Sequence, residues 1–325
     1  MLRGSAAGGL HRDLTVIDAH SDILMDVTDG ACSLGERFEP VETTSGCVRG
    51  QVDIPRLLEG GVTCQVLAIF VKAEHHDNSL RHALDMISSF HLELTRNLDT
   101  AVFVKKALDV HRAKRDGKVG LMLSLEGAEP LGEDGALVRV FYELGVRLIG
   151  LTWNWRNAAA DGWDASNTPG GLTPFGRVLV KEMGRLGMIV DVAHLAKPGF
   201  WEVVEVAEGP IIGSHCRTWG DWHSLDNRQL EAVAASGGVV CAIGVRRPDL
   251  ADIVSQIRHI ADVAGIDHVG FGADFYGLDW APKGLEDATK YPALTEALLK
   301  AGLSQAEVAK IMGGNLLRVF EAILK

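Results

Sequence analysis

The sequence has few cysteines and no cysteine motif. The five are odd in number and widely spaced, and none forms a Cys-x-x-Cys pair: Cys32, Cys47, Cys64, Cys216 and Cys241. This pattern argues against a disulfide framework and against a cysteine-ligated zinc site. We therefore expect reduced thiols that serve packing, in a cytoplasmic protein.

A basic surface and a long apolar leader are also missing. The formal net charge is -11, whereas a nucleic-acid or anionic-membrane partner requires a basic face. The first residues, MLRGSAAGGLHRDL, contain no apolar core of about seven residues, so they predict neither a secretory signal nor an anchor. We expect residues 1–12 to form a loose tail. We also expect the partner to be a small-molecule substrate, with no nucleic acid and no membrane.

Linkers, low-complexity tracts and internal repeats are absent too, and this bears on the number of domains. A chain of 325 residues with 47% hydrophobic content can bury a large core. Its length suits either two domains or one α/β barrel. Because no segment marks a boundary, we predict a single domain over residues 1–325.

Short apolar segments rich in Val, Ile and Leu recur along the chain. They show little polar alternation, which is typical of strands covered on both faces. Eight can be marked, at residues 14–19, 62–70, 119–125, 146–152, 188–193, 210–214, 237–243 and 268–273.

Helical patterns fill most of the intervals between these segments. Strand and helix repeated eight times predict the α/β class, as a (β/α)8 TIM-type barrel with extra C-terminal helices. The predicted helices are 80–98, 136–144, 174–186, 198–207, 227–235 and 250–264, followed at the C-terminus by 294–300, 304–312 and 315–324.

Metal-ligand and acid/base residue types stand where the predicted strands end. His20 and Asp22 follow the first strand two residues apart, so in extended chain both side chains lie on one face. Later strand ends carry Glu126, His194, His215 and Asp274. A His-x-Asp triplet alone is common by chance, but a barrel gathers the C-terminal ends of all its strands at one face. Three histidines and three carboxylates exceed the needs of one tetrahedral zinc and suit two bridged ions, which predicts a binuclear hydrolase.

Seven short strings also carry a resemblance, in order from about Val16 to the end of the chain. They read Asp18-Ala19-His20-Ser21-Asp22, Arg49-Gly50-Gln51-Val52-Asp53-Ile54-Pro55, Ser124-Leu125-Glu126-Gly127, Asp191-Val192-Ala193-His194, Ser214-His215, Gly272-Ala273-Asp274-Phe275 and Gly313-Gly314-Asn315-Leu316-Leu317-Arg318-Val319. Together they resemble the membrane (renal) dipeptidase family of zinc peptidases, within the amidohydrolase superfamily.

The resemblance implies two Zn²⁺ per chain and a homodimer. His20 and Asp22 would hold the first ion, His194 and His215 would hold the second, and Glu126 would bridge both. Other divalent ions compete for such ligands, so the native metal stays open.

The resemblance also implies a reaction. A hydroxide shared by the ions would attack the peptide carbonyl of a dipeptide. Asp274, beside the first ion, would receive the proton and pass it to the leaving amine. Family substrates are dipeptides, some with a C-terminal D-residue.

The fourth predicted strand ends with a departure from the family. The best-studied members have a histidine at the position of Trp153, where it contacts the transition-state oxygen. An indole N–H donates one hydrogen bond but carries no charge. The contact therefore falls to Trp153 or to its neighbour Asn154, or else Trp153 only forms a wall of the pocket.

A second departure follows the sixth predicted strand. Family members usually have His-Pro-Arg-Asn there, and its arginine binds the substrate carboxylate. Here the shorter loop reads Trp222-His223-Ser224-Leu225, and the arginine is missing. We expect Arg217 and His223 to be substrate-binding residues in its place, whereas Arg228 lies in a predicted helix.

Three functions are therefore weighed. A metal-dependent dipeptidase is the leading hypothesis. The missing arginine keeps open a binuclear amidohydrolase that acts on another small amide, an N-acyl amino acid, or an ester or lactone. A metal-bearing binding protein without catalysis is the third, and the intact ligand set with Asp274 argues against it.

Overall fold

Eight parallel strands form the barrel of this computed structural model, which describes residues 6–39, 41–42, 48–165, 169–219, 224–244, 247–277 and 281–325. Each strand pairs with the next along the chain. They are β1 Ile17–Asp18, β2 Cys64–Phe70, β3 Val119–Glu126, β4 Val146–Gly150, β5 Ile189–Asp191, β6 Ile211–Cys216, β7 Val239–Ile243 and β8 Val269–Gly272. All eight predicted apolar segments are therefore confirmed as strands.

Backbone hydrogen bonds bring the first and last strands together. The amide of Ala19 donates to the carbonyl of Phe271 at 3.1 Å, and that of Asp22 donates to the carbonyl of Phe275 at 2.9 Å. Ser21 and Phe275 form a parallel bridge at the same end. The sheet is thus a nearly closed (β/α)8 barrel, as predicted.

Helices surround this barrel and extend beyond it at the C-terminus. The nine predicted helices are confirmed, with starts that agree within three residues. The helices are α1 Ala6–Asp13, α2 Leu24–Thr28, α3 Ile54–Glu59, α4 Ser79–Arg96, α5 Ala107–Asp116, α6 Ala136–Leu144, α7 Pro174–Leu186, α8 Lys197–Val206, α9 Asn227–Ala235, α10 Leu250–Ala264, α11 Tyr291–Lys300, α12 Gln305–Ala309 and α13 Asn315–Ile323. Short 3₁₀ turns occupy Ala73–Asn78, Glu129–Leu131, Ile266–His268 and Ala288–Lys290, and a π-helical turn occupies Lys310–Gly314.

Local sequence explains where several of these helices begin and end. The side chain of Thr173 accepts from the amide of Gly176 before α7, and Pro174 suits the first helical position. Gly187 then ends α7 in the left-handed conformation. Asp226 and Gln229 form a reciprocal capping box at the start of α9.

The N-terminal segment differs from the prediction of a loose tail. From Ala6 onward it forms α1, and His11 is buried at 2% exposure. The His11 ring lies 2.7 Å from the carbonyl oxygen of Gly60 through Nε2, and 2.7 Å from Thr295 Oγ1 through Nδ1. Contacts with distant residues hold this helix, so the local sequence, with its paired glycines, gave no signal for it.

The interior of the barrel is packed, and its N-terminal end is closed by α13. One buried cluster takes side chains from β1 to β7 and includes Leu316, Val319 and Phe320 of α13. A second, larger cluster lies between the strands and the outer helices. The C-terminal strand ends are therefore left to form the open face. Among the described residues, no helix combines the length and the apolar character that crossing a bilayer requires.

Candidate metal centre

Six side chains with metal-ligand or acid/base chemistry meet at the C-terminal ends of the strands. The sequence analysis predicted this position for all six. They are His20 and Asp22 after β1, Glu126 at the end of β3, His194 after β5, His215 in β6 and Asp274 after β8. Five of them are at most 8% exposed, and His194 is partly buried. The barrel thus brings together residues that lie more than 250 positions apart in sequence.

Glu126 stands at the centre of this cluster. Its Oε2 lies 3.3 Å from His20 Nε2. Its Oε1 lies 3.2 Å from His194 Nε2 and 3.6 Å from His215 Nε2. Each carboxylate oxygen therefore faces a different set of imidazole nitrogens, which is the arrangement of a carboxylate that bridges two sites.

Asp22 and Asp274 complete the side that contains His20. His20 Nε2 lies 3.5 Å from Asp22 Oδ1 and 3.8 Å from Asp274 Oδ1. The donor atoms of these three residues lie within 4.8 Å of one another, and so do those of His20, Glu126 and His215. Both groups are compact enough to surround a cation.

The polar atoms of the cluster fit a bound metal. His20 Nε2 and Asp22 Oδ1 are buried and have no hydrogen-bond partner within the described part of the chain. Buried polar atoms are nearly always satisfied. Imidazole nitrogen and carboxylate oxygen are also the donors that zinc and similar divalent ions take. A metal would supply the missing partner for both atoms.

Electrostatics point the same way. Burial, followed by the charge of Glu126, raises the pKa of Asp22 to about 6. Burial also raises the pKa of Asp274 well above its usual range, against the opposing effect of His20. A raised pKa means that each carboxyl group keeps its proton to a higher pH unless a cation displaces it. Metal binding here is therefore expected to release protons and to strengthen as pH rises.

Neighbouring side chains orient two histidines of the cluster. His194 Nδ1 lies 2.9 Å from Asn154 Oδ1, which also accepts from Trp163 Nε1 at 2.6 Å. An amide oxygen only accepts, so His194 carries its proton on Nδ1 and turns the Nε2 lone pair toward Glu126. Asn154, predicted to bind substrate, thus uses its oxygen to orient His194.

A similar relay holds His215. Its Nδ1 lies 2.8 Å from Ser214 Oγ, and that hydroxyl donates to the buried carboxylate of Asp191. The amide of Ser214 donates to the other oxygen of Asp191 at 3.0 Å. Asp191 therefore acts on the cluster through Ser214.

Asp18 and Tyr291 form a third supporting contact. Asp18 Oδ1 accepts from the amide of His20 at 3.2 Å and from that of Ala273 at 2.9 Å. The hydroxyl of Tyr291, on α11, donates to Asp18 Oδ2. Asp18 thereby joins the end of β1 to the end of β8, beside His20 and Asp274. Tyr291 could not be identified from the sequence, because a tyrosine in a distant helix resembles an ordinary core residue.

Two members of the cluster have unusual backbone geometry. His194 has φ 62° and Asp274 has φ 59°, and Tyr276 nearby has φ 73°. These values lie in the left-handed region, which side chains other than glycine adopt at a cost of about 1–2 kcal/mol. The chain turns sharply at these points, directly after the strands end.

The structure gives the positions of some predicted substrate-binding residues and not of others. The Trp153 ring lies 6.2 Å from that of His194, so it borders the cluster. Arg217 follows β6 directly and is partly buried, and its carbonyl accepts from the amide of Leu225 at 2.9 Å. His223 lies outside the described residues. The roles of Trp153, Arg217 and His223 in substrate binding remain predictions.

Two cavities lie at opposite ends of the barrel. One of about 380 Å³ adjoins His194 and is lined by Trp163, Leu195 and Leu225. The other, of about 560 Å³, lies where β4, β5 and β6 begin and is lined by Arg147 among others. Arg147 donates there to the carbonyls of Tyr142 and Val146, so it stabilises the end of α6. The smaller cavity is therefore the one beside the candidate metal centre.

A parallel barrel with buried imidazole and carboxylate ligands at the C-terminal ends of its strands defines a metallohydrolase of the barrel type. The model of the family described as membrane dipeptidase, peptidase family M19, matches residues 5–325. The chain therefore belongs to the membrane dipeptidase family, and it is a hydrolase of the dipeptidase class.

Similar proteins agree with this assignment. Dipeptidase aclJ of Aspergillus oryzae is 31% identical over 293 residues, which cover 83% of this chain and 69% of the relative. Dipeptidase tcpJ of Claviceps purpurea is 29% identical over 310 residues, covering 89% and 72%. A metallopeptidase from Rhodobacter sphaeroides, crystallised with a phosphinate mimic of the dipeptide L-Ala-D-Ala, superposes with a TM-score of 0.87. It is 24% identical, and the match covers 95% of this chain and 99% of that one.

Proposed function

We propose that this protein is a two-zinc dipeptidase that hydrolyses the peptide bond of small dipeptides, including some with a C-terminal D-residue. The observation that carries the proposal is the position of Glu126, whose two oxygens face His20 on one side and His194 with His215 on the other. The Rhodobacter sphaeroides metallopeptidase, which has the same fold, was crystallised with a mimic of L-Ala-D-Ala.

The ligands divide between two ions. His20 and Asp22 would hold one, His194 and His215 would hold the other, and Glu126 would bridge them. When bound, such ions lower the pKa of water to about 7 and polarise the peptide carbonyl. The neighbours Asn154 and Ser214 would keep the histidines in the tautomer that such ligation needs.

Asp274 is the proposed acid/base. Its Oδ1 lies 3.8 Å from His20 Nε2, at the edge of the ligand cluster. A carboxylate in that position would take up a proton from the attacking water. It would then deliver that proton to the amine that leaves. No serine or cysteine nucleophile is needed.

A second candidate is hydrolysis of another small amide, an N-acyl amino acid, or an ester or lactone. The sequence supports this second candidate, because the loop after β6 lacks the arginine with which the family binds the substrate carboxylate. One metal centre can attack many carbonyls, and the loops choose among them.

One panel separates the two candidates. Zinc-loaded protein would be assayed with L-Xaa-L-Xaa and L-Xaa-D-Xaa dipeptides, their C-terminal amides, and N-acyl amino acids. A dipeptidase should cleave the free dipeptides well and the amides poorly, with a cation such as Arg217 in place of the missing arginine. Activity only on acylated compounds would overturn the proposal in favour of the second candidate.

Replacement of the acid/base tests the mechanism separately. Asp274→Asn removes the group that carries the proton, so we expect kcat to fall by about 10²–10⁴-fold. Zinc content, measured by atomic emission, should stay at the wild-type value. Near-normal turnover with unchanged metal content would show that Asp274 is not the proton carrier.

A further inference from the structure

Three aromatic side chains form a contiguous group beside the candidate metal centre, and the sequence pointed to only one of them, Trp153. They are Phe70, Trp153 and Trp155, which we call the aromatic wall. The Phe70 and Trp153 rings lie 5.1 Å apart, and those of Trp153 and Trp155 lie 4.8 Å apart in a T-shaped contact. Such spacings are typical of favourable aromatic pairs.

The topology places two members of this wall at the ends of the strands that flank Glu126. Phe70 ends β2 and pairs with Glu126 across the sheet. Trp153 follows β4, the strand on the other side of β3. Because their rings meet, Phe70 and Trp153 reach toward each other over the end of β3, where Glu126 lies.

The wall also runs from the ligands to the solvent. Its inner member, Trp153, has its ring 6.2 Å from the ring of His194. Its outer member, Trp155, is 43% exposed. An indole that only filled the core would be covered, whereas Trp155 keeps part of its ring in solvent while it packs edge-on against Trp153.

The chemistry of the wall selects a kind of substrate. Its rings carry no charge, each indole N–H can donate a single hydrogen bond, and the rest of the surface is apolar. Flat aromatic faces pack best against another ring or a large apolar side chain. A small side chain such as that of alanine would leave most of this aromatic surface exposed to water.

We propose that the aromatic wall binds a large apolar side chain of the substrate, and that the substrate class is dipeptides with an aromatic residue in one position. This inference rests on the proposed dipeptidase function. Trp153 and Trp155 are then specificity-determining residues of the reaction.

The test compares matched dipeptides in wild-type protein and variants. The substrates are Phe-Ala, Ala-Phe and Ala-Ala, each with L- and D-residues at the C-terminus. Burying an aromatic side chain against rings predicts a kcat/KM at least about tenfold higher than for Ala-Ala at one of the two positions. Trp155→Ala and Trp153→Leu should each reduce that ratio severalfold, chiefly through KM.

A matched control is available on an outer helix. Trp201 lies on α8, with its ring edge-on to Phe200. Trp201→Phe should leave the ratio between aromatic and alanine substrates unchanged. Calorimetric titration with phosphinate mimics that carry a benzyl or a methyl side chain gives a second readout, since the benzyl mimic should lose affinity in Trp155→Ala and the methyl mimic should not.

The outcomes separate the two levels of the argument. Cleavage of none of the dipeptides would contradict the dipeptidase function itself. Cleavage without an aromatic advantage at either position would overturn only the inference about the wall. The same holds for an aromatic advantage that survives both Trp153→Leu and Trp155→Ala.

Discussion

At the scale of single residues, Tyr291 supports the candidate metal centre indirectly, through Asp18. It lies on α11, outside the eight repeated units, and its buried hydroxyl donates to Asp18. Asp18 in turn fixes the backbone at His20 and Ala273. Burial raises the pKa of Asp18, and the hydrogen bond from Tyr291 counteracts that rise.

Tyr291→Phe should therefore weaken metal binding as well as stability. The buried carboxylate loses a partner, which costs about 1–3 kcal/mol. Loss of an orienting contact typically lowers metal affinity by about 10–100-fold. Zinc dissociation constants from competition with a chromophoric chelator, together with urea unfolding, measure both effects.

Tyr142→Phe is the matched control for this change. Tyr142 lines the cavity at the opposite end of the barrel, so its replacement should leave zinc affinity at the wild-type value. If Tyr291→Phe lowered stability but kept wild-type zinc affinity, the role of Tyr291 would be structural only.

Residue types and strand ends explain what could be predicted at this scale. The six residues of the cluster were found because a barrel brings strand ends together, whatever the separation in sequence. Tyr291 and Ser214 could not be found in this way. Their roles depend on a hydroxyl within hydrogen-bond distance of a particular carboxylate, and side-chain packing decides that distance.

At the scale of elements, α1 shows how a terminal helix depends on distant partners. Burial lowers the pKa of His11 from its ordinary value of 6.5. The folded state therefore keeps His11 neutral, while the unfolded chain takes up a proton as pH falls through about 6.5. The contribution of His11 to stability is present above that pH and is lost below it.

His11→Gln should reduce the pH dependence of stability. Glutamine can still donate to the carbonyl of Gly60 but does not titrate. Between pH 8 and pH 5, the unfolding midpoint of the zinc-loaded variant should fall less than that of the zinc-loaded wild type. Equal falls would show that His11 does not contribute to the acid sensitivity.

The junction before α13 is a second element with a sharp requirement. A Cβ on Gly313 would lie 2.3 Å from the carbonyl oxygen of Thr15 and 2.8 Å from the amide nitrogen of Ile17. Both are backbone atoms at the start of β1. The close approach lets α13 seat against the N-terminal end of the barrel.

Gly313→Ala is expected to destabilise the protein by about 1–3 kcal/mol, because the backbone must shift to admit the methyl group. Gly184→Ala is the matched comparison, since Gly184 lies within α7 and a Cβ there meets nothing within 4 Å. That change should stabilise by about 0.5–1 kcal/mol. Urea unfolding of both variants decides, and a stable Gly313→Ala would contradict the close packing.

The sequence predicted long elements better than short ones. The α10 helix, Leu250–Ala264, was predicted with its observed bounds, because fifteen residues show a clear period. The strand Ala101–Phe103, which pairs beside β3, was missed, and so was the hairpin of Val41–Glu42 with Val48–Arg49. Two or three residues show no period, so pairing with a neighbour decides whether they form a strand.

At the scale of the whole molecule, metal binding should stabilise the entire fold. The ligands come from β1, β3, β5 and β6, so a bound ion joins strands around the barrel. A ligand that binds only the folded state adds about 2.7 kcal/mol at a free concentration 100 times its dissociation constant.

Removal of zinc with a chelator should therefore lower the unfolding temperature. Added zinc should restore the unfolding temperature. The difference in unfolding temperature between the loaded and the zinc-free protein should increase with the free zinc concentration. Scanning calorimetry over a series of zinc buffers checks this. An unfolding temperature that did not depend on free zinc would contradict a site built from these strand ends.

The repeated pattern of strands and helices predicted the fold of the whole molecule, but the structure does not test the predicted oligomeric state or cellular location. Eight alternations of strand and helix were enough to predict the barrel. The homodimer and the cytoplasmic location remain predictions, since they depend on surfaces and surroundings that a single chain does not contain. Substrate choice belongs to the loops, which vary independently of the barrel.

The left-handed backbone at His194 and Asp274 has a consequence for engineering. Strain of this kind persists only because the surrounding structure enforces it. Selection for heat resistance in metal-free medium would favour glycine or asparagine at these two positions, where the tension would relax. A gain in heat stability from such substitutions at His194 and Asp274 would then come with a loss of catalytic activity.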